Sequence, residues 1–158
     1  MEITLEASTD FAVINGVLAH EDIYSGASDD FAPVRADVDA RGAGMVFVLI
    51  RCDGELAGLF ALQFHSTVMA EIHTCIFAKF RGSPATRAAA AIIYWVFSQT
   101  SCLKLITLVP AFNRAALFYA RRAGLRQEGV ITKSFLKGGV LHDQILLGLC
   151  KEQPSCQF

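Results

Sequence analysis

Three residues at alternate positions, Glu71, His73 and Cys75, lie within the apolar run at 70–77. Alternate residues of a strand share a face. A carboxylate and an imidazole on one face can take a proton from an amine, directly or through a water. Imidazole also has the ordinary pKa suited to work near neutral pH. Glu71 as a hydrogen-bonded strand-end carboxylate and His73 as a packed core histidine fit the same pattern equally well. The three cysteines Cys75, Cys102 and Cys150 read as small core residues rather than nucleophiles.

A second constellation follows at once, Arg81-Gly82-Ser83-Pro84-Ala85-Thr86. A glycine between a strand and a helix allows close approach of the backbone, and a helix N-terminus offers N–H groups and a positive dipole end to an anion. Ser83 as cap and Pro84 at the first helical position predict a helix from Pro84 onward. Proline removes one donor. Gly82, Ser83, Ala85 and Thr86 keep theirs, and Lys79, Arg81 and Arg87 add positive charge. The segment therefore predicts a phosphate-binding turn, with a capped helix start and no ligand as the other reading.

Both constellations need elements to hold them. Residues 2–7 alternate weakly, as an edge strand does. Asp10 caps a helix over 11–20, and a second, acidic helix is expected near 29–40, broken by Gly42 and Gly44. Strands are predicted at 46–51 and 56–65 around an Asp53-Gly54 turn, and at 68–77. An Ala-rich helix at 84–100 and a buried strand at 103–109 come next. Asn113 opens a helix ended by Gly124. Strands at 128–136 and 140–149 meet at Gly138-Gly139. The order β-α-α-β-β-β-α-β-α-β-β contains one strand–helix–strand unit flanked by antiparallel hairpins, so the fold class is α/β with a mixed sheet and helices on both faces.

At 158 residues the chain suits one domain, expected over 1–152 with a frayed tail at 153–158. It is 53% hydrophobic and 18% charged, against disorder, with mean hydropathy +0.42. No apolar stretch reaches the roughly 18 residues of a membrane span. The acidic N-terminus does not resemble a signal peptide, and five scattered cysteines without a C-x-x-C pair suit a reducing cytoplasm. The four histidines show no metal-ligand spacing, so no metal is expected. Surplus apolar surface suits a homodimer interface. Charge is segregated. Residues 1–71 carry twelve Asp/Glu and three Lys/Arg, a balance of −9, and residues 72–158 carry three and eleven, a balance of +8. Nucleic-acid binding by the basic half is disfavoured, because no aromatic platform interleaves the cations and the pI is about 6.4.

The element order, with "AEIHTCIF", "RGSPA", "LITLVP", "NRAALFYARRAGL" followed by "EG", and "GGVLHDQILLGL", resembles the GNAT N-acetyltransferases. The run through 113–129 resembles the ribosomal-protein N-terminal acetyltransferase branch most, and small bacteriophage GNAT-like proteins look similar. The resemblance implies acetyl-CoA as cosubstrate, with Ile76, Phe77, Arg81, Gly82, Ser83, Ala85, Thr86 and Asn113 around it. In the family the loop reads Q/R-x-x-G-x-G/A; here Arg81 matches, while Pro84 and Thr86 stand where glycine or alanine is expected. Glu71 falls at the position of a general base in one branch, with His73 beside it. The usual tyrosine acid would stand at Ala120, and Tyr119 lies one residue away, about 100° around the helix. The acceptor implied is a primary amine of a protein or peptide. The acids Glu21, Asp22, Asp29, Asp30, Asp37 and Asp39 would form an attracting lip, walled by Phe11, Tyr24 and Phe31. The altered loop equally suits a catalytically weak GNAT-fold protein that acts by binding a host protein.

Overall fold

The near-continuous apolar strings of the central strands require cover on both faces, and the computed structural model provides it. It describes residues 1–152; the expected tail at 153–158, with Cys156, lies outside the described residues. Seven strands form one sheet in the order β1-β2-β3-β4-β5-β7-β6. They are β1 (Ile3–Ser8), β2 (Val46–Cys52), β3 (Glu55–Phe64), β4 (Met69–Ile76), β5 (Lys104–Pro110), β6 (Arg126–Lys137) and β7 (Val140–Cys150). The helices are α1 (Phe11–Leu18), α2 (Glu21–Ala27), α3 (Ser83–Gln99) and α4 (Arg114–Arg122). All pairings are antiparallel except β4 with β5.

Strand β2 shows how the sequence feeds two layers. Val48, Ile50 and Cys52 pack toward α3, with Phe60, Leu62, Ala88, Ile92 and Val96. Phe47 and Leu49 face the other way, toward Ile14 and Val17 of α1. Phe60 is fully buried, and truncating such a side chain to alanine typically costs about 3–5 kcal/mol. Gly58 sits where β3 presses on β4. A Cβ there would meet the Cys75 carbonyl oxygen at 2.0 Å, and its φ of +146° suits only glycine. A third cluster, Val109, Leu117, Ala120, Leu125 and Leu147, seats α4 on the far half of the sheet.

Two expectations change. The acidic stretch at 29–40 is not a helix but a loop with a single 3-10 turn, Arg35–Asp37. Its acids serve backbone groups instead: Asp29 accepts from the Phe31 N–H, and Pro33 breaks the run. The second helix is α2, capped by His20, whose Nδ1 accepts from the Asp22 N–H at 3.1 Å. At the other junction the cap of α3 is Gly82, not Ser83. Gly82 takes φ +91° and ψ −130°, and Ser83 and Pro84 are the first two helical residues. The Asp10 and Asn113 caps are as expected, on the N–H groups of Val13 and Ala116.

A strap crosses the α1/α2 side of the sheet. The Asp30 N–H donates to the Leu136 carbonyl, and the Asp30 carboxylate receives the N–H groups of both Gly138 and Gly139 at 2.8 Å. Lys137 Nζ donates to the Ser25 carbonyl at 3.0 Å. The segment after α2 is thereby fastened to the tip of the β6–β7 hairpin.

Candidate active site

The parallel ladder between β4 and β5 is short. It holds only the pairs Met69–Lys104, Ala70–Leu105 and Glu71–Ile106. One further link, the Thr107 hydroxyl donating to the Ile72 carbonyl at 3.0 Å, marks where the strands part. The Phe77 N–H turns toward β3, to the Ala57 carbonyl. Backbone direction alternates along a strand, so Thr74 and Ile76 aim their peptide groups at the gap, where β5 no longer pairs. Ile76 is therefore placed as expected of a ligand-lining residue. Phe77 departs from expectation: its N–H is spent on β3, and its ring packs on His20 at 4.5 Å.

The gap runs to the N-terminus of α3. Gly82, Ser83 and Ala85 there carry N–H groups with no partner among the described residues, as a helix's first turn must. Pro84 contributes none. Thr86 also departs from expectation, because its N–H and its hydroxyl both donate to the Gly82 carbonyl. The cations are already engaged. Arg81 donates to the Asp22 carbonyl at 2.8 Å, Arg87 to the Met1 carbonyl at 2.9 Å, and Lys79 pairs with Glu55. The Asp22 carboxylate accepts from the Ala78 N–H. This acid, expected at the acceptor lip, instead pins α2 to the turn before the loop.

On the α1/α2 face of β4 stand Glu71, His73 and Cys75, sharing a face as their spacing predicts. Burial pushes the Cys75 thiol up to about 12, which suits a core residue. Among the described residues Glu71 is the only buried polar or charged one, 8% exposed. Its Oε2 meets His65 Nε2 at 3.0 Å, and its Oε1 lies 3.6 Å from His73 Nε2. That His73 nitrogen is buried without a hydrogen-bond partner, yet the side chain as a whole keeps 39% exposure. Sequence reasoning missed His65. Its signal was available: the tight β3–β4 hairpin, closed by His65 N–H to the Met69 carbonyl, pairs Gln63 with Glu71, so His65 falls on the same face.

Tyr119 lies on α4 with its hydroxyl donating to the Ala85 carbonyl at 3.2 Å. Burial pushes that hydroxyl up to about 12, with Thr74 nearby pulling the other way. Asn113 caps α4 and directs its side chain into the helix.

The model of a family described as proteins of unknown function, DUF2824, matches residues 37–154, about three quarters of the chain. The chain belongs to that family. No curated protein matches it in sequence. Solved structures show what a DUF2824 chain folds like. A spermidine N-acetyltransferase from Vibrio cholerae, in complex with CoA and spermine, is similar with a TM-score of 0.73 at 17% identity, covering 94% of this chain and 95% of that one. A protein assigned as a phosphinothricin N-acetyltransferase gives 0.77 at 14% identity, over 96% and 100%. With another assigned acetyltransferase the TM-score is 0.61 at 22% identity, over 68% of this chain, which spans only 63% of that one. The DUF2824 chain has the GNAT acetyltransferase fold.

Proposed function

We propose that this protein is an acetyl-CoA-dependent N-acetyltransferase whose acceptor is a primary amine of a protein or peptide. The observation that carries the reading is the parting of β4 and β5 after Glu71 and Ile106, above the free N–H groups of Gly82, Ser83 and Ala85. An extended acyl-CoA fits such a slot. Its phosphates would meet the α3 N-terminus, and its amide arm would find the peptide groups of Thr74 and Ile76. When bound it supplies the thioester. The chain's own residues orient it, and Glu71 with His73 forms the proton-accepting group on the acceptor side of the gap.

The acidic segment supports a cationic acceptor, although it is less free than its composition suggests. Asp22 and Asp30 hold backbone N–H groups, and Asp39 is held by Arg41, whose guanidinium keeps that carboxyl well below the ordinary range. Charge persists in each, so a positive amine is still attracted. A second reading, a catalytically weak protein that binds a host protein, is favoured by one observation. Lys79, Arg81 and Arg87 are all occupied within the chain rather than free for phosphate.

Calorimetry with acetyl-CoA separates the two. Binding is expected, weakened by salt and by Arg81→Glu. No heat at millimolar ligand would remove the enzyme and leave the second reading. Turnover measured on a basic peptide and on a free polyamine then tests the acceptor class.

A further inference from the structure

We infer that the proton acceptor is built from two histidines sharing one buried carboxylate, with His73 facing the acceptor amine and Glu71 and His65 as positioning residues behind it. The inference rests on the transferase reading and sharpens its site. Three observations carry it. Glu71 is buried, with one oxygen directed at each histidine. The inner nitrogen of His73 is sealed against Glu71 while the rest of the ring is accessible, so the reachable basic atom is Nδ1. His65, 37% exposed, closes the other side of the carboxylate.

A carboxylate on Nε2 of His73 holds the proton on that nitrogen and leaves the Nδ1 lone pair outward, the same logic by which a buried carboxylate orients a catalytic histidine. Nδ1 takes one proton from the acceptor ammonium, and Glu71 steadies the imidazolium that results. The freed amine lone pair attacks the thioester carbonyl carbon, so the C–N bond forms and the C–S bond breaks. The second amine proton leaves with sulfur as thiol, and the first passes from His73 to water. Products are the amide, the thiol and one proton.

His65 tunes this pair. Each histidine competes for the same anion, so a proton on one lowers the pull on the other, and the two titrate as a coupled set. Other ionisable groups on this face do not compete. Lys104 of β5 pairs with Glu128 beside Gly148, Cys75 is held neutral by burial, and Gln63 and Ile106 flank Glu71 in the sheet without charge. Asp39, at the end of the α1 side, is held by Arg41 and Asn15.

Two measurements test the inference. Nitrogen-15 imidazole spectra of the free protein are expected to show His73 with its proton on Nε2, and Glu71→Gln to erase that preference. In acetyl transfer, Glu71→Gln should move the acidic limb of the rate profile down by about 1–3 pH units, and His65→Asn should move it up. Opposite displacements cannot come from loosened packing. His65→Asn alters a part-exposed side chain and keeps the test alive should Glu71→Gln unfold. A proton on His73 Nδ1, or limbs displaced in the same direction, overturns the arrangement. Absence of acetyl-CoA binding overturns the transferase reading itself, whatever the spectra show.

Discussion

Tyr119 and Glu71 make opposite claims on the chemistry. A phenol held near 12 by burial and donating to a helix carbonyl is a poor proton donor for a thiolate. Tyr119→Phe is expected to leave turnover within a few-fold of the parent and to cost about 1 kcal/mol of stability, the net worth of one hydrogen bond. Glu71→Gln and His73→Ala, by contrast, should lower turnover by about 10²–10⁴-fold while acetyl-CoA affinity holds. Steady-state rates beside calorimetry and thermal melts check all three. A collapse of turnover in Tyr119→Phe with Glu71→Gln near parental would reverse the assignment.

At the scale of elements, the turn from β4 into α3 depends on one backbone conformation. Gly82 at φ +91° and ψ −130° lies where side chains are rarely tolerated, and Gly82→Ala should cost about 1–3 kcal/mol. Because that conformation also aims the free N–H groups, acetyl-CoA affinity should fall with it. Pro84→Gly adds one donor and some backbone freedom, so its effect on affinity should stay below about tenfold. Calorimetry on both variants distinguishes a turn that binds from one that merely caps.

Much of this element was legible. Alternation placed Glu71, His73 and Cys75 on one face, and the Gly-Ser-Pro string announced a helix start. The cap fell one residue early because glycine can occupy the required conformation, whereas Ser83 is compatible with helical dihedrals. The 29–40 stretch misled for a related reason. Short acids favour both helix starts and loop hydrogen bonds, and the partners that decide between them, Gly138 and Gly139, lie more than a hundred residues away. His65 was hidden by the same distance rule on a smaller scale, since only the hairpin register brings it to Glu71.

Across the whole molecule, the strap from α2 to the β6–β7 hairpin joins the acidic and basic halves of the chain. Hydrogen bonds from the N–H groups of Gly139 and Gly138 hold the Asp30 carboxyl below its ordinary value. A carboxyl lowered in the folded state contributes its stabilisation above its ordinary pKa and loses it as pH falls through the lowered one. The strap is therefore expected to stay fastened at neutral pH and to loosen in acid, below about pH 4. Amide exchange at Gly138 and Gly139 should quicken there, and in Asp30→Ala it should be quick already at neutral pH. Protection that is unchanged in Asp30→Ala would show that the hairpin tip is held by Lys137 and Leu136 alone.

The brief β4–β5 ladder has a mechanical side. Every other neighbouring pair in the sheet is joined by six or more register positions, and this one by three. The sheet is in effect two plates meeting at a seam, one plate carrying β1 to β4 and the other β5, β7 and β6. Helix α3 spans the joint through Ile93, which packs against both the first core and the α4 cluster. Anything lodged in the open end acts as a wedge and as mortar together: it holds the plates at a fixed opening while adding contacts to each. Rigidity at the reacting centre would then arrive with the cargo instead of preceding it.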